Sequence, residues 1–149
     1  MIRSRPDLEK SIRSLRRALQ RGFSPATSFP GTTSTTLSAG HCAAVAAIVH
    51  RKLGGNLVSA KIANESHWFN RIPIRDQWFD IDLTGDQFGR PPIQVVAAGT
   101  LYPGTKLRDP AELNKETLQR SAALAVRAGL NSDGSITRRL NRRTQTART

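Results

Sequence analysis

Cys42, His67 and the pair Asp80 and Asp82 are the residues of this chain whose types could carry out covalent chemistry together. A thiol attacks a carbonyl as its thiolate, so it needs a base within hydrogen-bond reach. The base in turn needs an acceptor that fixes its tautomer and its aim. Cys42 is the only cysteine in the chain, and it opens the run Cys42-Ala43-Ala44-Val45-Ala46-Ala47-Ile48-Val49, which closes at Gly54-Gly55, a helix C-terminal signal. A cysteine in the first turn of a helix meets unpaired backbone N–H groups and the positive end of the helix dipole. Both favour a thiolate, and both can hold a developing oxyanion. Each residue also has a structural reading: the thiol as a small apolar side chain among alanines, His67 as a hydrogen-bonded core histidine, and the aspartates as solvated carboxylates on an exposed sheet face.

Bringing these groups together requires a helix start facing two neighbouring strands, and the hydrophobic pattern supplies them. Leu8, Ile12, Leu15 and Leu19 recur at helical spacing, so Pro6 to Gln20 reads as an amphipathic helix, with Pro6 at an early position and Gly22 past its end. Residues 23–40 read as a loop that leads directly to Cys42 and is expected to shape a site. Apolar residues cover most of the circumference of the next helix, His41 to Leu53, as expected of a helix buried against a sheet. Strands are expected at 56–63, 66–72 and 77–84, with a turn over 73–76. The third has the cleanest alternation, Phe79, Ile81 and Leu83 on one face and Asp80 and Asp82 on the other. A loop over 85–92 precedes an edge strand near 93–96. A last helix is expected from Asp109 as N-cap, through Pro110 and Glu112, to Leu130. Residues 131–149 are polar and arginine-rich and read as a disordered basic tail. The expected architecture is α+β: one domain over 1–130, with the helix of Cys42 packed on a small antiparallel sheet between N- and C-terminal helices.

The segments Gly40-His41-Cys42-Ala43, Gly54-Gly55, His67-Trp68-Phe69-Asn70-Arg71 and Asp82-Leu83-Thr84-Gly85-Asp86-Gln87-Phe88 resemble, in this order, the YunG-like family of small bacterial proteins. The order of cysteine, histidine and aspartate is also similar to that of the papain-like and transglutaminase-like cysteine hydrolases. That resemblance implies a papain-like core with Cys42 as nucleophile, His67 as general base and Asp82 as the orienting group, since Asp82 is the aspartate followed by Leu83-Thr84. Asp80 stands beside them as a supporting carboxylate. Where a glutamine is expected before the cysteine, the chain has His41, whose neutral ring can donate to an oxyanion but whose charge changes near pH ~6.5. Gln87 is a further candidate for support at the oxyanion, and Trp68 and Ser38 are candidates for substrate contact. The implied activity is thiol-dependent acyl transfer from an amide of a protein or peptide, by hydrolysis, deamidation or transamidation.

The chain has 149 residues and a net charge of +12, concentrated at its ends: Arg3, Arg5, Lys10, Arg13, Arg16, Arg17 and Arg21 in the first segment, and Arg138, Arg139, Arg142, Arg143 and Arg148 in the last. Such ends bind polyanions without sequence preference. The competing expectation is therefore a non-catalytic basic module that docks to nucleic acid or to an acidic partner protein. No zinc-type spacing links His41, His50, His67 and Cys42, so neither a metal nor another cofactor is expected. No apolar run is long enough to span a bilayer and the first residues lack a secretory hydrophobic region, so no membrane role and a cytoplasmic setting are expected, with signal-independent export left open.

Overall fold

The leucine and isoleucine spacing near the N-terminus produces the first element. In the computed structural model, which describes residues 2–32, 36, 38–131 and 133–136, α1 spans Arg5–Gly22, and the Ser4 side chain caps it by accepting from the Asp7 N–H. Leu8, Ile12, Leu15 and Leu19 are fully buried on one face. The second helix, α2 (Cys42–Leu53), buries Ala44 through Val49, and its alanines let it lie close to the sheet. The sheet comprises β1 (Asn56–Ile62), β2 (Glu65–Ile74), β3 (Gln77–Asp82), β4 (Gln94–Ala97) and β5 (Lys106–Arg108) in the order β4-β3-β2-β1-β5. All its pairings are antiparallel. The β1–β2 hairpin turns at Ala63 (φ 51°) and Asn64 (φ 66°), the left-handed pair that a tight two-residue hairpin requires.

The register sorts the strands into two faces. Ile72, Ile74, Phe79 and Ile81 join the apolar residues of α1, α2 and the last helix, α3 (Lys115–Arg127), in the main core. Val58, Ala60 and Phe69 lie on the other face with Leu101 and Tyr102, in a smaller core. Those last two residues belong to the connection 98–105 between β4 and β5, which occupy opposite edges of the sheet. The connection therefore passes over β3, β2 and β1 on the face away from the helices. Four strand spacings amount to about 19 Å, and a segment of this length reaches about 30 Å at full extension, so it crosses as a short strap rather than a wandering loop. The Gly99 N–H donates to Asp80 Oδ2 (2.8 Å) at one end, and Arg71 reaches Thr105 Oγ1 (3.4 Å) at the other.

Three expectations need correction. The last helix does not run unbroken from Asp109. Asp109 and Glu112 form a capping box, but it closes only a 3₁₀ turn over Pro110–Glu112; Leu113 is extended, and Asn114 caps α3 by accepting from the Thr117 N–H. β5 was unanticipated. The tail expected from residue 131 does not start there: the Asn131 N–H donates to the Ser135 carbonyl (2.7 Å) and Leu130 pairs with Ile136, while 137–149 lie outside the described residues.

Candidate active site

Asp82 is the best-satisfied carboxylate of the fold. Its side chain is 1% exposed and its Oδ2 accepts from His67 Nε2 at 2.8 Å and from the Tyr102 hydroxyl. Oδ1 accepts from the backbone N–H of Thr84 (3.0 Å) and from its hydroxyl (3.3 Å), which explains why a threonine two residues on suits this position. Burial opposes the charge of Asp82, yet the His67, Tyr102 and Thr84 donors outweigh it and hold the carboxyl below the usual carboxylate range.

His67 is 1% exposed and boxed by aromatic rings. Phe88 and Tyr102 meet it edge-on at 4.8 and 5.3 Å between centroids, and Phe69 stacks at 6.0 Å. With Nε2 committed to Asp82, Nδ1 is the nitrogen left for the thiol, and it has no hydrogen-bond partner among the described residues. Burial lowers the affinity of the ring for a proton. The hydrogen bond to Asp82, the neighbouring Cys42 and the charge of Asp82 reverse that effect and raise the His67 pKa to about 9.

Cys42 is half-buried, with Sγ 4.0 Å from the carbonyl oxygen of Ser66 at the start of β2. Two contacts fix its helix: Asn70 Nδ2 of β2 donates to the Ala46 carbonyl (2.9 Å), and Ser121 Oγ of α3 donates to the Ala44 carbonyl (3.0 Å). No side chain caps the start of α2, and the first backbone N–H to find its helical partner is that of Val45. The N–H groups of Cys42, Ala43 and Ala44 thus remain at a helix N-terminus for a developing negative charge. Cys42, Ala43 and Ala44 border a groove of about 670 Å³, whose other walls include Phe29, Trp68 and Gln87. Gly40, at φ +76°, lets residues 29–32 fold against the approach to Cys42, because a Cβ there would collide with Thr32 Oγ1 and the Phe29 nitrogen.

The sequence candidates separate accordingly. Cys42, His67 and Asp82 are brought together, Trp68 lines the groove, and so does Gln87, which donates its amide to the Thr84 carbonyl (3.0 Å). His41 is corrected: its ring is buried, with Nε2 2.7 Å from Thr27 Oγ1 and Nδ1 3.0 Å from the Ala39 carbonyl, so neither nitrogen is left for an oxyanion. Burial outweighs these contacts and keeps His41 less basic than an ordinary histidine. Ser38 is corrected as a substrate contact, because it is fully buried and donates to Thr84 and Asp86 instead. Asp80 does not support His67; it holds Arg71 Nε at 2.7 Å and anchors the strap at Gly99. Tyr102, which donates to Asp82, and Asn70, which holds α2, were not among the residues singled out from the sequence. Asn70 stands in the quoted motif but carried no role there, and Tyr102 is the only tyrosine. Among the described residues no cluster of His, Cys, Asp or Glu could hold a metal ion, and no helix is long and apolar enough to cross a membrane.

A family model described as YunG protein matches residues 11–127. The chain belongs to the YunG family. The match runs from within α1 to the end of α3, so the cysteine, the histidine, the aspartate and the strap that carries Tyr102 all lie inside the YunG region. No curated protein and no solved structure matches the chain.

Proposed function

We propose that this YunG-family chain is a thiol-dependent acyl-transfer enzyme acting on an amide of a protein or peptide, built on a papain-like or transglutaminase-like core. The observation that carries the reading is the buried His67 ring, held by Asp82 through one nitrogen and left unpartnered at the other, beside a half-buried thiol that opens a helix on a groove. The order of a nucleophile helix followed by histidine and aspartate on adjacent antiparallel strands supports the placement of the core. A groove of about 670 Å³ is of the size that accommodates a side chain and its flanking peptide.

In this reading His67 Nδ1 already holds the proton that comes from the thiol, and the Cys42 thiolate attacks the amide carbonyl carbon. The carbonyl oxygen becomes an oxyanion facing the N–H groups at the start of α2. The imidazolium then gives its proton to the departing amine, leaving a thioester on Cys42. Water or a second amine, deprotonated by His67, attacks the thioester and returns the thiol.

The test is alkylation of Cys42 by iodoacetamide at neutral pH, followed by mass spectrometry, in wild type and in His67→Ala. Labelling at least about tenfold slower in the variant is expected, and equal rates in the two proteins would overturn the reading.

A second reading rests on α1. Lys10, Arg13, Arg17 and Arg21 are all exposed and recur every three or four residues on the side away from the buried leucines. None of the four has an ion-pair partner among the described residues. This stripe suits the phosphates of a nucleic acid or an acidic partner protein and would make the chain a docking module.

A further inference from the structure

The strap over the far face of the sheet does more than cover apolar side chains. Tyr102 is 2% exposed, and its hydroxyl hydrogen goes to Asp82 Oδ2, the same oxygen that takes His67 Nε2. Its ring edge faces the imidazole and also Phe69, at 5.2 Å between centroids. The Arg90 guanidinium lies 4.5 Å from the ring centroid, and Arg90 Nη1 donates to the neighbouring Leu101 carbonyl at 3.2 Å. The phenol is therefore fixed at its ring, at its hydroxyl and through the backbone beside it.

Resting on the reading of Cys42, His67 and Asp82 as an acyl-transfer site, we infer that Tyr102 is a positioning residue that acts through Asp82 to limit how tightly His67 holds its proton. A lone carboxylate buried against an imidazole would concentrate its whole charge on one ring, making an imidazolium slow to release its proton to a leaving amine. A second donor on the same oxygen draws part of that charge away. It also fixes the plane of the carboxyl group, so that Oδ2 stays aimed at Nε2 while Thr84 holds Oδ1. The strap thus supplies a fourth member of the site from a segment that β4 and β5 pin at the two edges of the sheet.

Tyr102→Phe removes the hydroxyl and keeps the ring. The Cε1 proton resonance of His67, followed by NMR against pH, is expected to titrate about 0.5 unit or more higher in this variant than in wild type, with the alkaline limb of the iodoacetamide profile of Cys42 moving the same way. An unchanged His67 midpoint in the folded variant would overturn the inference. Wild type gives an independent reading, because Tyr102 is the only tyrosine. Burial and the adjacent Asp82 charge push its phenol well above the ordinary value, so tyrosinate absorbance is expected to appear only as the chain unfolds. Reversible ionisation near pH ~10 in the folded protein would equally overturn the inference. The His67 midpoint and the tyrosinate absorbance do not depend on reactivity of Cys42. If His67→Ala labels as fast as wild type, the acyl-transfer reading fails, while the two Tyr102 measurements still decide its link to His67.

Discussion

His67 exchanges an aqueous environment for one set by burial, by Asp82 and by Cys42, and the balance raises its pKa from the ordinary 6.5 to about 9. The folded chain binds this proton more tightly than the unfolded chain, so the stabilising contribution is complete below about pH 6.5, declines as pH rises, and is gone above about pH 9. Asp82 shifts the other way: its contribution holds above the ordinary carboxylate range and is lost in acid. Urea unfolding at pH 6 and pH 9.5 is therefore expected to show wild type losing stability that His67→Gln does not lose, by at most about 3 kcal/mol. Equal pH dependence in the two proteins would show that the ring gains no proton affinity on folding. Asp82→Asn is expected to slow Cys42 alkylation by at least about tenfold while the fold persists. An amide at this position donates or accepts without fixing the imidazole as a carboxylate does. Far-UV circular dichroism and the labelling rate check the two halves of that expectation.

Between the elements, one carboxylate ties α1 to the approach to Cys42. Arg16 is 3% exposed on α1 and donates to the Leu83 carbonyl and, at 3.3 and 3.2 Å, to both carboxylate oxygens of Asp86, which also accepts from Ser38. Asp86→Ala strips a buried guanidinium of its counter-charge, and its unfolding free energy is expected to fall by about 3 kcal/mol. Cys42 labelling should change as well, because Ser38 precedes Cys42 by four residues. A stability loss under about 0.5 kcal/mol would show that water replaces the carboxylate freely. Much of this architecture was legible because its signals are local. The four apolar positions of α1, the alanine run of α2 and the alternation of Phe79, Ile81 and Leu83 each state which side meets the core. The carboxylates on the opposite side of β3 were ambiguous, since what buries them is the strap, and Leu101-Tyr102 between Gly99 and Pro103-Gly104 carries no periodicity to announce it. Asp109 read as the helix start, and only the extended backbone at Leu113 passes that role to Asn114. The fate of His41 depends on Thr27, fourteen residues upstream, a contact with no sequence signature.

Over the whole molecule, the cation stripe of α1 and the candidate groove occupy separate places. The candidate groove lies where α2 begins, whereas the exposed cations of α1 lie on the side of that helix turned away from its buried leucines. A chain can use one, the other or both, and the two are separable by salt. Cations on a helix face release counterions from a duplex in proportion to the phosphates they neutralise, and the binding constant then falls with salt at a slope of about −0.9 per phosphate. Replacing Lys10, Arg13, Arg17 and Arg21 together by glutamine is expected to make that slope less negative by about 3 to 4 for a short duplex, measured by fluorescence anisotropy across salt concentrations. Because these side chains stand clear of the core, the unfolding midpoint should barely move and iodoacetamide should label Cys42 at the wild-type rate. An unchanged salt slope would leave the stripe as a solvated face. A slope change with a matching fall in labelling would mean that α1 and the groove do not act independently, and that a polyanion on the helix is felt at the thiol.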